Sequence, residues 1–152
     1  MLEIIRGKIW DSTCQTIVCP TSTQGRGGSK LADEFYEKYY ESFKLYIRMC
    51  EARRRSPGEL WLMKDTTPWV LCLPTQIAFW QEERLPYIEH GLQSFVKEYK
   101  EMGITSIAFP LLGYPCKAIK ENDSMALMKQ YLKPLPIHCE VYVTHKKRAW
   151  DD

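Results

Sequence analysis

The sequence has no long apolar run, so it offers no segment that would span a membrane. It also has no recognisable secretory leader, and we expect a cytoplasmic protein. The net charge of +2 is too small to indicate nucleic-acid binding. Internal repeats, linkers and low-complexity stretches are lacking too. A chain of 152 residues is therefore expected to form one domain over 1–145, followed by a C-terminal tail at 146–152.

The six cysteines form no Cys-x-x-Cys pair, and His90, His138 and His145 lack ligand spacing relative to them. We therefore predict no metal site and no cofactor. Several cysteines lie in apolar runs, as at Val18-Cys19 and Leu71-Cys72-Leu73. Such cysteines are expected to be small buried hydrophobic residues in a reducing compartment.

Two short basic clusters interrupt an otherwise balanced distribution of charge. They are Arg53-Arg54-Arg55 and Lys146-Lys147-Arg148. The simpler interpretation is a solvated face and a polar tail. The alternative is a surface that steers a polyanion such as DNA or RNA.

Helical and strand-like spacings of apolar residues alternate along the chain, which predicts a three-layer α/β/α sandwich with a mixed central sheet. Ser29 is the expected N-cap of the first helix, Pro20 is expected to end the second strand, and Gly103 to end the second helix. The predicted strands are 2–6, 16–19, 59–63, 69–73, 104–109 and 140–143, and the predicted helices are 29–51, 85–102 and 122–132.

The segment 17–32 is the most informative one. An apolar strand end leads into a small, polar, glycine-rich loop, and this loop opens onto a helix. We expect unencumbered backbone amides at 25–28 and a helix N-terminus at the carboxyl edge of the sheet, where an anion such as a phosphate would bind. A plain tight turn would have the same pattern.

Three loops, 19–30, 74–84 and 110–119, leave the carboxyl ends of predicted strands and would line one cleft. Backbone donors, a cation at Lys117 and aromatic faces at Phe79, Trp80 and Tyr114 suit a ligand with phosphates and a base. Each of these side chains also has an ordinary alternative. The aromatic pair would pack onto its own domain, and Tyr114 and Lys117 would simply be exposed.

Four segments carry a resemblance to a known family. They are Arg6-Gly7-Lys8-Ile9, the loop 17–35, Leu73-Pro74-Thr75-Gln76 with the following 87–92, and the run 103–113. Together they resemble a macrodomain, the ADP-ribose-binding module. More narrowly, they resemble the branch with the antitoxin that removes ADP-ribose from DNA and the terminal ADP-ribose glycohydrolase.

The resemblance implies ADP-ribose or a derivative as the ligand, and ADP-ribosylated nucleic acid or protein as a partner. It also implies a set of contact residues on the three loops and after the first strand. The implied ligand-binding residues are Lys8, Ile9, Thr21, Ser22, Gly25, Arg26, Gly27, Gly28, Thr75, Gln76, Leu112, Gly113, Tyr114 and Lys117.

The departures from the family pattern fall on its chemistry. Cys19 and Ser22 stand where the family has asparagines, and Gln76 stands where this branch places its catalytic lysine. A neutral amide does not act as that nucleophile. In the second phosphate loop, Pro115 lacks an N–H donor and Lys117 replaces a glycine. These losses indicate binding without efficient hydrolysis.

Two other functions remain open. The first is an ADP-ribosyl hydrolase with rearranged groups, for which Ser22, Gln76 and Cys116 are the candidates and Glu82 and Glu83 the available carboxylates. The second is a protein-interaction domain with a disused cleft, filled by Tyr114 and Trp80.

Overall fold

The computed structural model describes residues 1–114 and 116–144. The predicted tail at 146–152, residue 145 and Pro115 lie outside the described residues. Within that part of the chain, six strands and four α-helices form, with a short 3₁₀ helix at Ile9–Asp11. The strands are β1 (Leu2–Arg6), β2 (Thr16–Ser22), β3 (Trp61–Met63), β4 (Trp69–Gln76), β5 (Ser106–Pro110) and β6 (His138–Val143), and the helices are α1 (Lys30–Lys38), α2 (Tyr40–Ala52), α3 (Leu85–Met102) and α4 (Glu121–Leu132).

The strands form one mixed sheet in the order β1-β6-β5-β2-β4-β3. All neighbouring pairs are parallel except β3 and β4, which are antiparallel. The carboxyl ends of the five parallel strands therefore meet at one edge of the sheet. This edge is the one at which open α/β sheets bind ligands.

Two apolar clusters lie on opposite faces of the sheet because successive strand residues point to opposite sides. On one face, Val18 and Leu71 pack with α3 and α4. On the other, Ile17 and Cys72 pack with α1 and α2. The predicted α/β/α sandwich is confirmed. All six cysteines are unpaired and five are buried, as their apolar surroundings predicted.

Two strands continue past a proline that lies at or just beyond their predicted end. β2 continues through Pro20 to Ser22, and β4 continues through Pro74 to Gln76. At each proline the strand has a neighbour on one side only. β2 pairs with β5 only as far as Ile17, and β4 pairs with β3 only as far as Cys72. A missing N–H is tolerated where one side of a strand is unpaired.

The single helix predicted over 29–51 is wrong, because it is two helices that meet at Tyr39. No proline or glycine marks this break. The Ser29 N-cap is confirmed, since its Oγ accepts a hydrogen bond of 3.0 Å from the Ala32 amide. Gly103 ends α3 as predicted, with a left-handed φ of 81°. No helix in residues 1–114 and 116–144 combines the length and apolar character needed to cross a bilayer.

Candidate functional site

A cleft of about 420 Å³ opens at the carboxyl edge of the sheet. Its walls come from the segment after β1, the start of α1, the loop after β5 and the end of β6. The prediction that the 74–84 loop shares this cleft is wrong, since none of the lining residues comes from that loop. Of the sequence-predicted residues, it brings together Lys8, Ile9 and Tyr114. The lining residues are Lys8, Ile9, Trp10, Ser29, Lys30, Leu31, Glu34, Pro110, Leu111, Tyr114, Tyr142, Val143 and Thr144.

One wall of the cleft is apolar and rigidly supported. Ile9 is buried, and the Trp10 ring lies 4.5 Å from the ring of Phe35, centroid to centroid. The Trp10 Nε1 donates a hydrogen bond of 2.8 Å to the Glu34 carboxylate. With its Nε1 hydrogen-bonded to Glu34 and the Lys38 ammonium 4.6 Å from its ring centroid, the indole is held in place and adds an apolar surface to this wall, which suits a planar apolar group such as a nucleobase.

The N-terminus of α1 forms a polar wall of the same cleft. Ser29 satisfies two amides of the first turn, those of Ala32 and Asp33, through its hydroxyl and its carbonyl. The amides of Lys30 and Leu31 have no hydrogen-bond partner among the described residues. Free amides and the positive end of the helix dipole attract an anion. The Lys8 and Lys30 side chains add two positive charges to this wall.

The predicted cradle at 25–28 is organised differently from the expectation. The Gly25 amide donates to the Ser22 carbonyl over 3.0 Å, and the Gly28 amide donates to Gln76 Oε1 over 2.9 Å. The expectation of unencumbered amides is therefore wrong for these two glycines. Within the described residues, the Arg26 and Gly27 amides have no hydrogen-bond partner.

Protein packing explains the two consecutive glycines. A Cβ on Gly27 would lie 2.5 Å from the Cβ of Ala32 and 2.7 Å from the Pro20 carbonyl oxygen. A Cβ on Gly28 would overlap the Phe79 carbonyl oxygen. A larger side chain at Gly27 would therefore disturb the contact between α1 and β2 before it reached any ligand.

Gln76 joins the first two loops. Its Oε1 accepts from the Gly28 amide, and its Nε2 donates to the Gln81 carbonyl over 2.5 Å. Its own carbonyl accepts from the Thr23 amide over 3.0 Å. The side chain is almost fully buried and lies outside the lining of the cleft. In this structure Gln76 acts as a clamp between loops.

Other predicted polar residues are also turned toward protein partners. Thr21 Oγ1 lies 3.4 Å from the Tyr46 hydroxyl, and Ser22 Oγ accepts from the Gln24 amide over 3.2 Å. Thr75 Oγ1 donates to the Glu83 carboxylate over 2.5 Å. Burial raises the pKa of the Glu83 carboxyl. The sequence had indicated Glu83 only as a carboxylate in the 74–84 loop.

The loop after β5 is tightly packed. Leu112 is buried and its carbonyl accepts a hydrogen bond from the Ser124 hydroxyl. Gly113 has a left-handed φ of 81°, and a Cβ there would lie 2.8 Å from Ile119. The Tyr114 amide donates inward to the Leu111 carbonyl over 3.2 Å. Lys117 is exposed and does not line the cleft.

We expect Gln76→Ala to lower the free energy of unfolding by about 1–3 kcal/mol, since it removes two part-buried hydrogen bonds, those to the Gly28 amide and the Gln81 carbonyl. Limited proteolysis should then cut faster within 77–84, because the clamp on this loop is lost. The matched control is Gln93→Ala, a glutamine exposed on α3. Equal cutting rates and equal stability in wild type and Gln76→Ala would contradict the clamp.

Sequence reasoning missed several residues that line the cleft. Trp10 directly follows Ile9, which was predicted to bind the ligand, and Tyr142 and Val143 end a predicted strand. These positions next to predicted features are the only sequence signal for them. In the interpretation with a disused cleft, the sequence predicts that Trp80 fills the cleft. Its side chain instead is 67% exposed and lies outside the cleft lining.

No family model matches the chain. In sequence, it is 25% identical to a DNA ADP-ribosyl transferase–DNA ADP-ribosyl glycohydrolase fusion protein of Thermosipho africanus, over 99% of this chain and 44% of that protein. The chain spans less than half the length of the curated relatives it matches.

Solved structures show a similar fold over nearly the whole chain. The macrodomain of Thermus aquaticus DarG has a TM-score of 0.85 at 23% identity and covers 96% of this chain and 99% of its own. Thermosipho africanus DarTG, solved in complex with ADP-ribose, has a TM-score of 0.88 at 26% identity and covers 99% of this chain and 43% of its own. The chain therefore has the macrodomain fold, with the DarG proteins among its relatives.

Proposed function

We propose that this chain binds ADP-ribose, or a nucleotide derived from it, in the cleft at the carboxyl edge of the sheet. The observation that carries the proposal is the pairing of two walls in one cleft of about 420 Å³. One wall is apolar and aromatic, and the other holds free helix amides and two lysines. The structure of a Thermosipho africanus relative in complex with ADP-ribose supports the same ligand class.

In this proposal the diphosphate lies at the start of α1, where the Lys30 and Leu31 amides donate to phosphate oxygens. The adenine lies against Ile9 and Trp10, with Lys8 beside it. Tyr114 covers the ligand from the loop after β5. The other predicted residues, among them Ser22 and Gln76, shape the loops and do not contact the phosphates.

We further propose that the chain hydrolyses ADP-ribosyl bonds poorly. Gln76 stands where the resemblance places a catalytic lysine, and its two polar side-chain atoms form hydrogen bonds to Gly28 in the first loop and to Gln81 in its own loop. The chain's relatives include proteins named DNA ADP-ribosyl glycohydrolase, so a hydrolase with rearranged groups is the alternative. In that case Glu83, whose pKa is raised by burial, is a candidate for the acid.

Calorimetric titration with ADP-ribose, NAD and AMP tests the binding. We expect a dissociation constant in the micromolar range or below for ADP-ribose, and weaker binding of AMP because it lacks the second phosphate and the distal ribose. No heat with any of the three would contradict the proposal and favour a protein-interaction domain. Release of ADP-ribose from modified DNA or protein would instead establish the hydrolase.

An exposed aromatic pair favours modified nucleic acid as the source of the ligand. Phe79 and Trp80 are 42% and 67% exposed, and their ring centroids lie 5.0 Å apart. The Arg26 guanidinium lies 5.8 Å from the Phe79 ring centroid, and Arg26 lines a second hollow of about 550 Å³ together with Arg54 and the acidic Glu51. Arg53 and Arg55, by contrast, pair with Glu59. Exposed rings beside arginines stack on the bases of single strands.

We expect Trp80→Ala to weaken binding of a single-stranded, ADP-ribosylated oligonucleotide by about 5- to 150-fold, which corresponds to the loss of one stacking contact. Binding of free ADP-ribose should be unchanged, because Trp80 lies outside the cleft lining. Fluorescence anisotropy measures both the wild type and the variant. Leu45→Ala, which removes another exposed apolar side chain, is the control. Equal oligonucleotide affinities in wild type and Trp80→Ala would contradict this role.

A further inference from the structure

A cluster of three potential metal ligands lies on the sheet face that carries α1 and α2. His138 and Glu140 are two residues apart on β6 and so point to the same face. Cys14 comes from the segment before β2. One side-chain ligand atom from each of the three residues lies within 4.8 Å of the other two. No sequence spacing indicated this group, because Cys14 and His138 are far apart in the chain.

We propose that Cys14, His138 and Glu140 bind one Zn²⁺ ion, with water in the fourth position. Sulfur, imidazole nitrogen and carboxylate oxygen are the three donors that Zn²⁺ accepts in proteins, at bond lengths of roughly 2.0–2.3 Å. A tetrahedral ion with such bonds holds its ligand atoms roughly 3–4 Å apart. The spacing within the cluster therefore requires only small side-chain adjustments.

The groups that would orient the ligands are already in place. Glu140 Oε1 accepts hydrogen bonds from the Ser12 hydroxyl over 2.7 Å and from the Tyr142 hydroxyl over 2.8 Å. Its other oxygen, Oε2, faces His138 Nε2 at 2.9 Å, and an ion would bridge these two atoms. Carboxylates that bind metals are held by such outer hydrogen bonds.

Ser12 also fixes the third ligand, because its Oγ accepts from the Cys14 amide over 3.1 Å. The His138 side chain is 36% exposed, which gives an ion a path from solvent to two largely buried partners. On binding, the Cys14 thiol loses its proton to solvent and the thiolate bonds to the metal, while His138 binds as the neutral imidazole.

A cobalt titration of the untagged, chelator-treated protein tests the site. We expect one equivalent of Co²⁺ to produce a thiolate-to-cobalt charge-transfer band and the visible absorption of tetrahedral cobalt, and Zn²⁺ to displace it. This proposal is independent of ADP-ribose binding, so it stands whether or not the cleft binds a nucleotide. Absence of a thiolate band in the wild-type protein would overturn it.

Variants then locate the ligands. Cys14→Ser and His138→Gln should each weaken Zn²⁺ binding by about tenfold or more, and both should remove or alter the charge-transfer band. Cys116→Ser and His90→Gln, in a cysteine and a histidine outside the cluster, should bind as the wild type does. Wild-type binding by Cys14→Ser would overturn the proposal.

A measurement on the wild type covers the case in which those variants do not fold. Bound Zn²⁺ should protect Cys14 from alkylation relative to Cys116, with the modified residue located by peptide mass spectrometry. Equal alkylation of Cys14 with and without stoichiometric Zn²⁺, in protein that has taken up the ion, would place the metal elsewhere and overturn the assignment.

Discussion

Replacing Lys30 with glutamate is expected to weaken ADP-ribose binding by about 10- to 100-fold, which corresponds to roughly 1.4–2.8 kcal/mol. Lys30 is the first residue of α1, and its side chain lines the cleft beside the free amides of the first turn. The substitution replaces a positive charge with a negative one where the proposal puts the diphosphate. Calorimetry at low and at high salt measures the loss, which should shrink as salt screens the charges.

The stability of Lys30→Glu should change little, since the favourable interaction of an acidic residue with the helix dipole offsets the repulsion from Glu34 four residues along α1. A loss of affinity without a lower melting temperature therefore reports on the ligand alone. Lys97→Glu is the matched control, because it makes the same charge change on an exposed position of α3, on the other face of the sheet. If both variants bind ADP-ribose as the wild type does, the phosphates do not lie at the start of α1.

Phe35→Ala is expected to lower the free energy of unfolding by about 3–5 kcal/mol. Phe35 is completely buried, and its ring contacts those of Trp10, Tyr39 and Phe43 at centroid distances of 4.5, 6.4 and 6.4 Å. Trp10 lies in the 3₁₀ helix, Tyr39 at the junction of α1 and α2, and Phe43 in α2, so the cavity would not close by the movement of one side chain. Denaturant unfolding followed by circular dichroism measures the change.

The same substitution should also weaken ADP-ribose binding, because the Trp10 wall of the cleft loses the ring behind it. Leu92→Ala separates the two effects. Leu92 is equally buried but packs with α4 on the opposite face of the sheet. We expect a stability loss of about 2–5 kcal/mol there with unchanged ADP-ribose affinity. Equal affinity losses in Phe35→Ala and Leu92→Ala would show that only global stability matters.

Local patterns in the sequence were sufficient to predict most of the helices and strands that form the three layers. The stripe of apolar residues in α3 and the Gly103 stop predicted that helix to the residue. The alternation of short apolar strands with helices predicted the α/β/α sandwich. The Ser29 N-cap was also readable, because capping depends on a serine and the amides of the next turn.

The predicted ends of β2 and β4 were wrong because they depend on how far the neighbouring strands extend, and not only on the residue type. The sequence predicts that Pro20 ends the second strand, because proline cannot donate to a ladder, and that the fourth strand ends at Leu73, directly before Pro74. Both prolines lie inside their strands, because the pairing with β5 or β3 stops before the proline and no N–H donor is required on that side. The break at Tyr39 has no breaking residue, and nothing in the sequence pattern marks it.

For the candidate site, the sequence determined which loops reach the carboxyl edge, because loop positions follow from the order of strands and helices. Only the tertiary structure decided which amides in those loops are free. Gln76 and Gly28 are 48 residues apart, yet a single side-chain hydrogen bond occupies the amide predicted to face a ligand. The placement of β6 between β1 and β5 likewise brings Cys14 to His138. Contacts of this kind arise from the pairing of distant strands, and local propensity does not contain that information.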